Sequence, residues 1–337
     1  MAKGSTRLED LATIAGVSIS TASRALNDSP YVNAKTKQLI WQLAREHDYP
    51  FRRYMPAGPI GADATIAIVV PRPQGREGRL SDPFFLELLS GVAEAARERD
   101  CDVLFSHVTP TSFEELAGMM KSNRADGVIF LGQSSLHQAF NRLAETEMRF
   151  VVWGAQLPNQ AYCSVGSDNL VGGRRATIHL ARLGRKRIVF LGDAEAPEAV
   201  QRLRGYRRGL EMAGLEPDAE LIVPAHFELE SAESAVDGMI GAGLQFDGIV
   251  AASDMIALGA MRALHRAGRR VPEDVSVVGY DDVPFARHST PSLSTVSQDT
   301  NHAGRLLVSK LLAANGRLEI RSERMPTNLI IRESCGG

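Results

Sequence analysis

The stretch LEDLATIAGVSISTASRALN, residues 8 to 27, sets short hydroxyls and one guanidinium close together. Thr21 and Ser23 offer hydroxyls able to hold phosphate oxygens, and Arg24 can fork onto a guanine edge or a phosphate. A second group lies far along the chain. Asp281-Asp282 follow the apolar run VSVVGY, and Arg202 falls near the start of a helical pattern. Aspartate and arginine at such places can hold ligand hydroxyls through charge-assisted hydrogen bonds.

The elements that must carry the first group are short helices. Leu8, Leu11, Ala12 and Ala15 recur at helical spacing, and Gly16 followed by Val17-Ser18 predicts a sharp turn and the N-cap of a second helix. Ala22, Ala25 and Leu26 then face inward, which leaves Ile19, Ser20, Ser23 and Arg24 pointing out. This is a helix-turn-helix pattern, whose second helix lies in the major groove of DNA with its first turn at base edges. An ordinary pair of packed helices joined at a glycine has the same apolar spacing.

At 337 residues and 44% hydrophobic, the chain can bury the cores of two or three domains. Its net charge of -2 argues against a bulk nucleic-acid binder. The distribution is more informative: residues 1 to 58 hold eight Lys/Arg against five Asp/Glu, a local balance of +3 on a body of -5. A basic head on an acidic body suits a head that meets phosphates. Cys101, Cys163 and Cys335 are far apart and form no CxxC pair, so neither a disulfide framework nor a zinc knuckle is expected. The N-terminal MAKGSTRLED has no apolar signal-peptide core and no run approaches a membrane span, so a cytoplasmic location away from membranes is expected.

Between Tyr49 and Thr65, Pro50, Pro56, Gly58, Pro59 and Gly61 break any regular element. The expected division is a head over 1–58, a linker over 59–64 and a body over 65–337. In the body, TIAIVV (65–70), CDVLFS (101–106), GVIFLG (127–132) and RFVVWG (149–154) read as buried strands. Helices are expected from Phe84 to Arg99 and from Phe113 to Ser122. The pattern restarts with a helix from Gly173 to Leu183 and strands at 187–192, 220–224, 247–253 and 275–282, with helices at 198–213, 230–241 and 254–267 between them. Strands at Leu293–Gln298 and Met325–Ile331 flank a last helix at 299–313. Alternation of this kind predicts an α/β body of two lobes built on parallel sheets. Lobe 1 is expected at about 65–164 and 294–325, and lobe 2 at about 165–293 and 326–337. Ligands of open parallel sheets bind at the carboxyl ends of the strands.

The run AGVSISTASRALNDSPYVNAKTKQLI resembles the head of the LacI/GalR family of bacterial transcription factors. The likeness continues through SDPFF (81–85), VGSDNLVGG (165–173), LGRKRI (183–188), RLRGYRRGL (202–210), ASDMIALGAMRAL (252–264), VPEDVSVVGYDD (271–282) and PSLSTVSQD (291–299). The resemblance implies a small all-α helix-turn-helix head joined to a two-lobe, periplasmic-binding-protein-like body. It implies that Ile19 and Ser20 read base edges, that Arg24 is the recognition-helix arginine, and that Val32 to Glu46 is a third helix. In the cleft it implies Arg202 and Asp281 bonding the polar edge of a ligand, Ser253 where an asparagine is frequent, Phe227 stacking on the ligand, and Phe84 and Phe85 lining the first lobe. Each has a structural alternative: Asp281 capping a turn, Arg202 on a helix surface, Phe227 in the core.

Two departures stand out. The family's linker carries a hinge helix whose leucine wedges into the minor groove; here that position falls on Gly58, and Pro56 inside such a helix costs about 3 kcal/mol. Tyr54 or Met55 are the available wedges, while Arg52 and Arg53 offer phosphate contacts. Gly154-Ala155 stand where the family frequently has Asp-Arg, so one polar contact is missing or moved. Trp153 lines the pocket or joins the core, and Arg76, Arg79 and Asp82 sit in a loop that reads as solvated.

There is no G-x-G-x-x-G after a strand, no GxxxxGK[ST], no H-E-x-x-H and no G-x-S-x-G, and the eight histidines show no metal-ligand spacing. No cofactor and no catalysis are expected. The expected protein is a repressor acting as a homodimer, with partners in double-stranded operator DNA and a small sugar-like effector. A transport solute-binding protein shares the two-lobe body, and an enzyme fused to a DNA-binding module is the third reading. The head and the missing signal peptide oppose the former, and turnover on a sugar panel would reveal the latter.

Overall fold

Small side chains let the helices of the head pack closely. In the computed structural model α1 (Leu8–Ile14), α2 (Ile19–Leu26) and α3 (Ala34–Glu46) enclose Ala12, Ala22, Ala25, Val32 and Ile40. Gly16 turns the chain at φ +66°, a region that favours glycine. The Ser18 hydroxyl accepts from the Thr21 N–H at 3.1 Å, and Asn33 Oδ1 from the Thr36 N–H at 2.8 Å, which fixes where the second and third helices begin. The structure describes residues 8–26, 29, 31–47, 64–71, 82–106, 108–121, 125–133, 135–147, 149–193, 196–314 and 321–337. Arg52, Arg53, Tyr54, Met55, Pro56, Gly58 and residues 59–63 of the linker all lie outside them, as do Arg76 and Arg79.

The body follows the βα alternation. Lobe 1 contains β1 (Thr65–Val69), α4 (Pro83–Arg97), β2 (Asp102–Phe105), α5 (Phe113–Lys121), β3 (Gly127–Leu131), α6 (His137–Ala144), β4 (Phe150–Trp153) and β5 (Ser164–Ser167). Lobe 2 contains α7 (Asn169–Arg182), β6 (Ile188–Leu191), α8 (Pro197–Met212), β7 (Ile222–Val223), α9 (Leu229–Gly241), β8 (Gly248–Ala251), α10 (Asp254–Arg266), β9 (Ser276–Asp281), α11 (Pro284–His288) and β10 (Ser294–Ser297). The chain returns to lobe 1 for α12 (Thr300–Ala313) and β11 (Glu323–Met325), then ends in lobe 2 with β12 (Asn328–Ile330).

The first sheet runs β11-β5-β4-β3-β1-β2 and the second β12-β10-β9-β8-β6-β7. All pairs are parallel except β10 with β12. The crossings differ from the expected ones by a strand's width. Ser164–Ser167 belongs to the first sheet and Ser294–Ser297 to the second, so the chain changes lobe after each strand rather than before it. The last expected strand divides at Pro326-Thr327, one half in each sheet, because proline has no N–H to continue a ladder. The Asp168 N–H donates to the Met325 carbonyl at 2.8 Å, and Arg175 donates to the Thr327 carbonyl. Two of the three crossings are thereby tied together.

One strand expected to be buried is not. β2 is exposed at all four residues, with Val103, Leu104 and Phe105 each about two-fifths accessible, because it pairs only with β1 at the sheet edge. Of 220–224, only Ile222–Val223 is strand, preceded by a 3-10 turn at Ala219–Leu221. Helices α6 and α11 were not anticipated, being short and, for α11, opened by Pro284.

Glycine decides how closely two helix pairs approach. A Cβ on Gly304 of α12 would lie 2.2 Å from the Gly91 carbonyl carbon of α4, and one on Gly205 of α8 would lie 2.2 Å from the Leu170 carbonyl oxygen of α7. These crossings hold α12 to lobe 1 and set the tilt of α8, the helix that carries Arg202.

Candidate functional site

On the head, the exposed side of α2 matches the expected outward set. Ile19, Ser20 and Arg24 are exposed and Ser23 is half-buried, while Ala22 and Ala25 are buried. The Ser18 hydroxyl lies 3.0 Å from the Ser20 hydroxyl and 2.8 Å from that of Thr21, so these three oxygens form one polar patch at the helix start. Tyr31, nine-tenths exposed, stands just before α3.

In the body, the carboxyl ends of the second sheet's strands meet at Arg202. The residue is 4% exposed, and its guanidinium lies 3.7 Å over the Tyr280 ring. Nε donates to Asn169 Oδ1 at 2.8 Å, Nη1 donates to the Ala252 carbonyl, and the same nitrogen lies 3.7 Å from Asp281 Oδ1. Asp281 accepts a 2.6 Å bond from Gln298 Nε2. It sits at φ +117°, where side chains are rarely found, and Asp282 follows at φ +60°.

That backbone is held from two sides. Asp254 accepts from the Val283 N–H at 2.9 Å and from the Thr295 hydroxyl at 2.6 Å, and Arg332 donates to Asp282 Oδ1. Such strain persists only where its surroundings over-determine it, and here it aims the Asp281 carboxyl toward Arg202.

Lobe 1 faces this cluster with Asp82. Its Oδ1 caps α4 by accepting from the Phe84 N–H at 2.9 Å, so it is a capping residue and not a solvated loop residue. Burial raises its carboxyl above the usual range, against the Phe84 N–H and the charge of Arg202. Burial likewise pushes Asp281 well up, opposed by Arg202 and reinforced by Asp254 and Asp82. Two carboxyls, Asp82 and Asp281, therefore share the field of one guanidinium across the lobe boundary.

The remaining expected cleft residues are distributed. Phe84 is buried in the lobe 1 core, 5.8 Å from Trp153 and 5.7 Å from Phe85 between ring centres. Phe85 is half-buried and lies over Gly132 at the end of β3. Phe227 is half-buried against the lobe 2 core. Ser253, 3% exposed, caps α10 by accepting from the Ile256 N–H at 3.2 Å, which gives it a structural occupation.

The family model for bacterial regulatory proteins of the lacI family matches residues 7–50, and that for a periplasmic binding protein-like domain matches 177–335. The transcriptional regulator CelR of Thermobifida fusca is 33% identical over 97% of both chains. The chain belongs to the lacI family. It is a DNA-binding transcriptional regulator and not an enzyme. A solved CelR–cellobiose complex superposes with a TM-score of 0.70 at 31% identity, over 98% of this chain and 99% of that one. The lac repressor dimer bound to operator and the anti-inducer ONPF gives 0.70 at 25% identity, over 98% and 99%. Among the described residues no helix is long and apolar enough to cross a membrane, and no group of three His, Cys, Asp or Glu could hold a metal.

At Gly154 the structure shows what occupies the space beside the backbone. A Cβ there would lie 2.5 Å from Gln133 Cγ and Cδ, so the buried Gln133 fills the space. Its Nε2 donates to the Ala155 carbonyl at 2.7 Å and to the Tyr162 hydroxyl at 2.8 Å, while Oε1 has no partner among the described residues. Glu198 Oε2, in the first turn of α8, is buried and equally without a partner. Reading of the sequence missed Asn169, Gln298, Gln133 and Glu198. Gln298 directly follows β10 and Gln133 closely follows β3, so the carboxyl-end rule, applied to every strand, would have found both.

Burial pushes the Asp254 carboxyl up to about 7, against bonds from Thr295 and Val283 and with Asp282 adding repulsion. An unfolded aspartate titrates near 3.9, so the folded state prefers the protonated form. Stability is fully present below that value and is lost as pH rises from about 4 to about 7. Asp281, shifted in the same direction, adds to the loss. Urea unfolding midpoints are expected to be higher at pH 5 than at pH 8, with a smaller difference in Asp254→Asn; equal differences in the two proteins would remove Asp254 as the cause.

Proposed function

We propose that this protein is a cytoplasmic repressor whose binding to operator DNA is governed by a sugar-like effector held between the two lobes. The observation that carries the reading is the Arg202–Asp281 pair at the strand ends of lobe 2, facing Asp82 of lobe 1 in one electrostatic field. With the Asp281 and Asp82 carboxyls pushed up by burial, this surface suits the hydroxyls of a neutral polyol. A CelR relative with cellobiose bound supports the same class of ligand.

Residues 1–58 form the operator-reading head, 59–64 the linker and 65–337 the effector-binding and pairing body. Ile19 and Ser20 read base edges, Thr21 and Ser23 hold phosphates, Arg24 contacts a guanine or a phosphate, and Arg52 and Arg53 contact phosphates. Arg202, Asp281, Phe85 and Phe227 contact the effector, with Phe84 and Ser253 shaping the walls. Two bodies pair, and the apolar β2 edge with Val103, Leu104 and Phe105 is a surface that such pairing covers.

An effector acts only through a difference in affinity between two arrangements of the lobes. Closing the cleft moves α8 and Asp281 relative to Asp82, and through the crossings the linkers and heads. A thermal-shift screen of mono- and disaccharides on the full chain, followed by an operator gel shift with each hit, tests this. A sugar that raises the midpoint and changes operator affinity is the expected result; sugars that bind without changing operator affinity would sink it.

A further inference from the structure

We propose that a chamber on the flank of the lobe boundary is a second small-molecule site, distinct from the Arg202–Asp281 cleft and selective for a small anion bearing a carboxylate or phosphate. Its cavity volume is about 570 Å³, within the range of small-ligand pockets.

One wall is a stripe of α8. Pro197, Val200, Gln201 and Arg204 are spaced i, i+3, i+4 and i+7, so they share one helix face, while Arg202 is buried on another. The opposite wall comes from lobe 1, with Gln156 after β4 and Arg324 on β11. The walls are already joined: Gln201 Nε2 donates to the Gln156 carbonyl at 2.9 Å, and Arg324 Nη2 donates to Gln156 Oε1 at 3.1 Å.

The charge of the chamber is one-sided. Two guanidiniums and two carboxamides line it, with no Asp or Glu among its described lining residues. Lys310 takes the neighbouring Glu323 at 2.9 Å, and Glu198 on α8 turns its Oε2 into the protein. The first turn of α8 has no side-chain cap at Ala196, so the positive end of a 16-residue helix adds to the field. An anion suits two guanidiniums through charge-assisted hydrogen bonds. Arg324 comes from lobe 1 and Arg204 from lobe 2, so a bound anion favours one relation of the lobes over another and couples to operator binding.

The test is calorimetric titration of the full chain with inorganic phosphate, with malonate, and with uncharged malonamide. At least one of the two anions is expected to bind, and malonamide not to; which anion binds tells phosphate from carboxylate. The double variant Arg204→Gln/Arg324→Gln is expected to weaken binding at least tenfold. Val200→Trp, which fills the chamber without altering charge, is expected to weaken it as well, and thermal midpoints near wild type establish that both variants fold. Failure of both anions to bind would overturn the proposal. So would unchanged anion affinity in the two folded variants, which would place the anion on another surface such as the basic head.

Discussion

Replacing Arg202 by Met is expected to lower the unfolding free energy by about 3–5 kcal/mol, the usual cost of breaking a buried charge pair from one side, and to abolish the effector response. The guanidinium serves Asn169 and the Ala252 carbonyl, and lies near Asp281, all in a space nearly closed to solvent. Methionine fills a similar volume but leaves those acceptors without a donor. Arg202→Lys would restore the charge with a single head, which cannot reach acceptors that lie in different directions, so only part of the loss returns. The pair can be separated from the neighbours by a double-mutant cycle with Asp281→Asn. At 3.7 Å the Arg202–Asp281 contact is an ion pair without a short hydrogen bond, and Gln298 makes the 2.6 Å bond instead. A modest coupling of about 1 kcal/mol is therefore expected, read from urea unfolding of the four proteins. If Arg202→Met cost nothing in stability, the cluster would not be holding lobe 2 together at all.

The helix-turn-helix, the two parallel sheets and Asp281 were legible because each follows from a local rule: helical spacing broken by Gly16, apolar runs between helices, and a polar residue at the end of a strand; Arg202, inside α8, stood out only through the family resemblance. What was not legible depends on contacts made across the chain. Nothing local distinguishes β2 from an inner strand, since its apolar residues read alike whether a second strand covers them or not. The division of Met325–Ile331 hinged on one proline, visible in the sequence but readable as a strand interior until the sheets were assigned. Asp82 read as a loop residue although its cap is local, an aspartate just before a proline at the helix start; only the field of Arg202 reaches it from the other lobe. Gln133 was within reach of the carboxyl-end rule, since it closely follows β3, but its partner was not. Its place is defined by the absence of a side chain at Gly154, which only three-dimensional packing shows.

Arg24→Ala is expected to cost on the order of 1 to 3 kcal/mol of specific operator binding per head while leaving the thermal midpoint unchanged. The side chain is exposed on α2, whereas the inner face of that helix is fixed by Ala22 and Ala25. Truncation therefore removes no packing, and a loss of affinity reports contact with DNA. The head is expected to depend on this residue more than its size suggests. Ile19 and Ser20 offer a thymine-methyl contact and one short hydrogen bond, less discrimination than a bidentate pair gives. The head's charge balance of +3 supplies little sequence-independent attraction. Specificity must then rest on Arg24 and on two heads presented together by a paired body. The form of the loss tells which contact Arg24 makes. A guanine contact predicts relaxed preference at one base pair of each half-site, whereas a phosphate contact predicts uniform weakening and a salt slope smaller by about one. Fluorescence anisotropy on operator and scrambled duplexes at several salt concentrations separates these. Operator affinity within about twofold of wild type, against the loss expected for a specific contact, would remove Arg24 from the reading surface.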